Sequence, residues 1–286
     1  MSDLSPADGA VLACATGHRF DVNRRGFASL VLGSRKLIGD SAAMLDARET
    51  FLEHGWYAGL RDALSGLVAP EQAQRVVDIG CGTGYYLRGV LVALGAAGAA
   101  GARGRPGEPV LRALAVDLSA AAVARTVRSG ADASGVSTVG LVADVWSPLP
   151  IRDGAADVVI NVFAPRNPAE FHRVLASGGL LAVVLPHPTH LQELRAAGLA
   201  LDVHGNKTAD LITSLAGLFE LESTEDLSTV LSLAPADVAA LIGMGPSSHH
   251  QAESEPTTAQ DSPAALEERS EVTVAFRILG FRRAAQ

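Results

Sequence analysis

The segment Val76-Val77-Asp78-Ile79-Gly80-Cys81-Gly82-Thr83-Gly84-Tyr85-Tyr86 constrains the fold more than any other part of the chain. It reads as a buried strand that runs through an acid into a glycine-rich turn and then a helix. Glycines in such a turn let the backbone approach a ligand closely and adopt angles that a side chain forbids. Asp78 stands at the carboxyl end of the strand, where open parallel sheets bind ligands. The spacing is GxGxG. The dinucleotide pattern GxGxxG needs its third glycine for close helix packing, so this spacing argues against a nicotinamide or flavin pyrophosphate.

Three later segments repeat the strand-then-polar-end pattern. Leu114-Ala115-Val116-Asp117-Leu118-Ser119 ends on a carboxylate able to take both hydroxyls of a ribose. Leu141-Val142-Ala143-Asp144-Val145-Trp146 ends on another, suited to accept from an adenine amine. Ala156 to Phe163 forms a fourth strand and leads into Ala164-Pro165-Arg166-Asn167. For any one of these acids alone, helix capping is the better explanation. A glycine turn and three strand-end acids in this order predict an α/β fold, the Rossmann-like domain of a class I S-adenosylmethionine (SAM) methyltransferase.

The rest of the composition sets limits. With 286 residues, 48% of them hydrophobic, the chain can bury the core of one large domain with a small appendage. It has no run of 18 uncharged apolar residues and no basic-then-apolar leader, so neither a membrane span nor a secretion signal is expected, and the cytoplasm is the expected location. The two cysteines, Cys14 and Cys81, do not suggest a disulfide framework. The net charge of −8 disfavours non-specific attraction to nucleic acid. The N-terminal end is locally basic, with Arg19, Arg24, Arg25, Arg35 and Lys36 against Asp3, Asp8 and Asp21. Such charges serve equally well to solvate a small lobe or to contact RNA.

Along the chain, residues 1–38 read as a small polar lobe with short strands, 39–60 as a helical bridge with Ser41 as an N-cap, and 61–286 as the methyltransferase domain. Gly95 to Gly107 is too glycine-rich for a stable helix and is expected to be a surface insertion. It carries Asp117 farther from Gly84 than the roughly 20 residues of an uninterrupted unit. Leu180 to Leu185 predicts a fifth strand, Thr189 to Ala197 a helix, Lys207 to Leu218 an amphipathic stretch, and Phe219 to Leu233 a bent strand. Pro235 opens a helix through Leu241, residues 246–269 read as a loop, and Glu271 to Ile278 alternates as the last strand of a terminal hairpin.

The chain resembles bacterial large-subunit ribosomal RNA guanine-N1 methyltransferases over nearly its whole length. The resemblance lies in Gly17-His18-Arg19-Phe20-Asp21-Val22 with Gly26-Phe27, Asp40-Ser41-Ala42-Ala43-Met44 with Ala47-Arg48, Gly55-Trp56-Tyr57, the glycine turn, Asn161 to Asn167, and His190-Leu191-Gln192-Glu193-Leu194. Ala143 to Trp146, Val162 to Pro168 and Met244 to Ser248 look most like the branch that confers tylosin resistance. The resemblance implies SAM as cofactor, large-subunit rRNA as partner, and a macrolide-resistance phenotype. It leaves a homodimer open. It adds Tyr57, closing over the cofactor from the bridge, and His190, approaching its amino-acid end. The expected cofactor-binding set is then Tyr57, Asp78, Gly80, Gly82, Thr83, Gly84, Asp117, Leu118, Asp144, Val145 and His190. The family also carries a small N-terminal zinc module with a CxxC pair followed by a cysteine and a histidine. Only Cys14 and His18 of that set are present; Asp3, Asp8 or a histidine from elsewhere would have to complete it, and structural zinc prefers nitrogen and sulfur, so no metal is expected.

Methyl transfer to guanine N1 needs the N1 proton removed, by a general base or along a hydrogen-bonded route to water, and a carboxylate or histidine is the expected means. Asn161 and Arg166, at the mouth of the fourth strand, are the expected holders of the base's edge, with Phe163 stacking on it. Asp40 in the bridge is the candidate base. A small-molecule methyltransferase and a non-catalytic SAM-binding regulator would share the same cofactor site, but a small-molecule enzyme would not need the basic lobe.

Overall fold

The computed structural model describes residues 4–7, 10–31, 39–98, 111–130, 136–200, 207–245 and 269–285. Three short strands, β1 (Leu4–Ala7), β2 (Val11–Cys14) and β3 (Arg19–Asp21), form an antiparallel sheet of their own. The next strand, β4 (Phe27–Ser29), leaves it and pairs in parallel with a strand of the main sheet through Phe27 and Gly140. The main sheet therefore reaches into the segment expected to be a separate lobe. Phe27 and Ala28 are buried there.

Helices α1 (Ala42–Glu53) and α2 (Ala58–Val68) form the bridge. Ser41 caps α1, its Oγ accepting from the Met44 amide at 3.2 Å, which satisfies one of the orphan donors of the first turn. From there the chain alternates β5 (Arg75–Ile79), α3 (Tyr85–Gly98), β6 (Leu111–Asp117), α4 (Ala120–Gly130), β7 (Val136–Val142), β8 (Ala156–Val162), α5 (Pro168–Val174) and β9 (Leu175–Pro186). It closes with α6 (Gln192–Ala196), α7 (Lys207–Leu215), β10 (Phe219–Leu233), α8 (Pro235–Gly243) and β11 (Ser270–Arg283). Helix α3 runs on through Gly95, against the expectation of a break there, because Leu91 and Leu94 are buried in the core and hold its last turns. The rest of the glycine-rich stretch and most of residues 246–269 lie outside the described residues.

The main sheet has eight strands in the order β10-β11-β9-β8-β5-β6-β7-β4. Strands β4 to β9 run parallel, and β11 inserts antiparallel between β9 and β10. This is the Rossmann-like arrangement with the terminal hairpin read from the sequence. The central strands are buried on both faces, which is why they read as unbroken apolar runs. Val76, Val158 and Ile160 point into one core with α1 to α4, while Val77, Ile79 and Val159 point into a second with α5 and α7. Ile160 is fully buried, and its truncation to alanine would cost about 2–5 kcal/mol. The chain leaves β5 toward β6 on one side and later returns to β8 on the other. That reversal, at the carboxyl ends of β5 and β8, is where open parallel sheets place a ligand crevice.

Candidate active site at the glycine turn

The turn after β5 sits at this crevice. Gly80 has φ +84°, and a β-carbon on it would stand 2.2 Å from the Ala164 Cβ, so only glycine fits beneath the loop that follows β8. Gly82 and Gly84 also have positive φ. The amides of Gly80 and Cys81 donate to the Val116 carbonyl at 2.8 and 3.1 Å, tying the turn to β6, and the Thr126 hydroxyl of α4 donates to the Gly82 carbonyl at 3.2 Å. Thr83 is buried beside them.

Asp117, at the end of β6, accepts from the Gly82 amide at 3.0 Å and the Ser119 amide at 2.9 Å. Its pKa is raised, because burial outweighs the effect of these two amides. Asp78 is more deeply buried, and desolvation with help from the Asp117 charge pushes its pKa up to about 8. Leu118 and Val145 are half-buried at the ends of β6 and β7. Asp144 is half-buried as well, but its carboxylate closes its own turn, accepting from the Trp146 amide at 3.0 Å and the Ser147 hydroxyl at 3.2 Å.

The bridge and the last strands supply a second wall. Tyr57 is buried, edge-on to Phe51 and Phe276 with ring centroids 5.0 and 4.8 Å apart. Its hydroxyl has no hydrogen-bond partner among the described residues, and burial raises its pKa. His190 lies 4.8 Å from the Phe276 ring, and its Nδ1 accepts from the Ala275 amide at 3.2 Å, which puts the hydrogen of the neutral ring on Nε2. Burial lowers its pKa to about 4. Phe163 reaches the same cluster, 5.6 Å from Phe276 and 6.3 Å from Tyr86. It is 42% exposed, with φ +54°, a backbone region that bulky side chains avoid.

The three residues expected to do chemistry are placed differently from one another. Asp40 forms an ion pair with Arg48 of α1, which occupies its carboxylate, and its carbonyl accepts from the Ser119 hydroxyl at 3.0 Å. Asn161 is completely buried. Its amide nitrogen donates to the Ile79 and Pro165 carbonyls, both at 3.0 Å, and so fixes the loop over the glycine turn, while its buried Oδ1 has no hydrogen-bond partner among the described residues. Arg166 donates to the Ala164 carbonyl at 3.2 Å.

Two contributors were not read from the sequence. Arg48 lies within 3.1 Å of where a Gly82 β-carbon would stand and also donates to the Met244 carbonyl at 3.0 Å. Asp40 precedes the N-cap of α1, so no helical spacing signalled this pair. Phe276 is the hub of the aromatic cluster. Its place in an alternating strand predicts burial but not these neighbours.

A glycine cradle that admits no β-carbon, a carboxylate at the end of β6 and an unpartnered buried tyrosine hydroxyl fit SAM, which supplies an electrophilic methyl group when bound. A structural zinc does not fit the described residues. Cys14 Sγ and His18 Nδ1 are 3.4 Å apart and each contacts the Thr16 hydroxyl, but no group of three or more His, Cys, Asp or Glu side chains converges among those residues. Structural zinc takes four ligands, and Asp3 and Asp8 lie outside the described residues. Among the described residues no helix is long and apolar enough to cross a membrane.

No family model matches the chain. The 23S rRNA (guanine(748)-N(1))-methyltransferase of Streptomyces fradiae is 40% identical over 247 residues, covering 84% of this chain and 80% of that protein. A Micromonospora griseorubida protein provisionally named a 23S rRNA (guanine-N(1)-)-methyltransferase is 35% identical over 298 residues, covering 98% of this chain and 94% of its own. The solved structure of the YcgJ protein from Bacillus subtilis has a TM-score of 0.49 at 13% identity, covering 78% of this chain and 99% of that one. On the identity and coverage of these curated relatives, the chain belongs to the 23S rRNA (guanine-N1)-methyltransferase family.

Proposed function

We propose that the protein transfers the methyl group of SAM to N1 of a guanine in a hairpin loop of large-subunit rRNA, in the cytoplasm. The observation that carries this reading is Phe163. A half-exposed aromatic in a strained backbone conformation stands at the mouth of the crevice, on the loop packed over the glycine turn. Strain of this kind costs of order 1–3 kcal/mol and is a mark of functional sites. A base flipped from its stack needs an aromatic face to receive it, and sequence-specific RNA recognition favours loops whose bases can be splayed out.

In this reading Asp117 takes the ribose hydroxyls and Asp144 with Val145 borders the adenine. Tyr57 and His190 close over the amino-acid end. Asn161 positions the loop that presents Phe163 and Arg166. Methyl transfer is an in-line displacement, so the work of these residues is alignment and exclusion of water. The lobe at residues 1–38 grips RNA through Arg19, Arg24 and Arg25, all exposed and, among the described residues, without an acidic partner. The macrolide resistance of the branch it resembles belongs to the same proposal.

The test is transfer of label from SAM with purified protein, supplied in parallel with large-subunit rRNA and with a small-molecule extract. Label in rRNA supports the reading. Label only in small molecules, or in neither, contradicts it.

A further inference from the structure

Guanine N1 carries hydrogen at neutral pH, and its lone pair is free to attack only as that proton departs. The negative charge left behind is shared with O6 through the ring. A protein can therefore promote the reaction by offering a base to the proton or by offering a cation to O6.

The acids and the histidine around the crevice are poorly placed for the first route. Asp40 is paired with Arg48. Asp117 is engaged by two backbone amides, and Asp144 by an amide and a hydroxyl. His190 has its Nδ1 committed to the Ala275 amide and is a weak base, with a pKa near 4. Asp78 is buried at the end of β5 beneath the turn and, with its pKa at about 8, keeps its own proton at neutral pH. Tyr57 and Tyr86 are pushed by burial away from ionisation.

Arg166 offers the second route. Arg48, Arg75, Arg125, Arg173 and Arg282 each meet a carboxylate; the half-buried Arg166 guanidinium, like those of Arg195 and Arg283 away from the glycine turn, meets none among the described residues. Desolvation lowers its pKa, yet an arginine keeps its charge. A cation withdrawn from water with only a carbonyl for company is costly until an anion arrives. Its partner is the Ala164 carbonyl, and Ala164 is the residue packed on Gly80, beside Phe163. The guanidinium is thus moored to the loop that covers the cofactor turn and presents the stacking face.

We infer that Arg166 is a catalytic residue that donates to O6 of the bound guanine and stabilises the charge appearing there as N1 loses its proton to water, with no side-chain base. The inference rests on the reading that the target guanine stacks on Phe163. In the balanced step the N1–H bond breaks and its proton passes to water, the N1 pair closes on the methyl carbon, and the S–C bonding pair returns to sulfur. The same contact selects the base. Adenine presents an amino group where guanine presents O6, and a guanidinium has only donors to offer it.

The test is single-turnover methylation of a large-subunit rRNA hairpin by the full chain, its Arg166→Gln variant and its Arg166→Lys variant, across a range of pH. At about pH 7, Arg166→Gln should be roughly 100-fold slower, the loss typical of a removed anion-stabilising donor. The deficit should shrink as pH rises toward about 9, where the guanine ionises unaided, with RNA and SAM affinities unchanged and the lysine variant intermediate. A deficit of the same size at every pH, or one matched by an equal loss of RNA affinity, overturns the inference. If Arg166→Gln does not fold, the lysine variant decides: a pH-independent ratio to wild type overturns the inference, and a narrowing one supports it. A wild-type enzyme that methylates no guanine N1 removes the functional reading itself, and the inference with it.

Discussion

Ala164 and Gly80 are in such close register that a methyl group on Gly80 would stand 2.2 Å from the Ala164 Cβ. The loop after β8 therefore depends on the absence of a side chain in the cofactor turn. Gly80→Ala is expected to abolish SAM binding, measured by calorimetry. Adding Ala164→Gly should not restore it, because the contact is relieved but the φ of +84° is not. Restored binding would reduce the turn's requirement to space alone.

Asp117 touches the turn on one side and, in the proposed site, the ribose on the other. Asp117→Ala should weaken SAM binding by about 1–3 kcal/mol, the range for leaving a hydrogen-bonding group unpaired. Unchanged affinity would remove Asp117 from the site.

Arg48 connects Asp40, the Met244 carbonyl and the neighbourhood of Gly82. Arg48→Ala should lower unfolding stability by about 1–3 kcal/mol, as expected for losing a charge-assisted pair that is only partly exposed. Asp40→Asn, by contrast, should cost methyl transfer less than the roughly 100-fold lost with a true general base. A larger loss with a flattened pH profile would return Asp40 to that role.

The buried Asp78 makes stability depend on pH. Its folded-state pKa of about 8 exceeds the ordinary 3.8, so between those values the folded chain binds more protons than the unfolded one. Stability from this group is full below the lower value and is lost as pH rises to about 8. Asp117, shifted in the same direction, adds to the trend, while His190, shifted down to about 4, opposes it over the acid part of the range. Thermal melts of the protein without SAM, comparing wild type with Asp78→Asn, isolate the effect of Asp78. The variant should gain stability relative to wild type as pH rises from about 4 to about 8. A constant difference would show that Asp78 is ionised in the fold.

Elements with their own local signature were readable in the sequence. The apolar runs of β5, β6, β8 and β9 follow from burial on both faces, the glycine turn from its close approaches, and the last hairpin from the alternation at Glu271 to Ile278. Ser41 announced the start of α1. Features set by distant partners were not readable. Strand β4 is three residues long and exists because Phe27 and Ala28 find β7 across more than a hundred residues of chain. Gly95 is helical because Leu91 and Leu94 are buried. The φ of Phe163, the unshared guanidinium of Arg166 and the ion pair that occupies Asp40 depend on packing that no local pattern encodes. For that reason the cofactor side of the site was more legible than its chemistry.

The basic lobe lies outside the nucleotide site, so Arg24→Ala with Arg25→Ala should reduce rRNA methylation and its salt sensitivity while leaving SAM affinity unchanged. Loss of SAM affinity in that double variant would mean the lobe serves the fold and not the RNA.

The most direct test of the central claim is primer extension on large-subunit rRNA treated with the protein and SAM, as naked RNA and as ribosomal particles. A methyl on guanine N1 blocks Watson–Crick pairing, so a stop one nucleotide short of a single guanine in a hairpin loop is the expected result. It should disappear without SAM. The absence of any protein-dependent stop in either substrate would contradict the account.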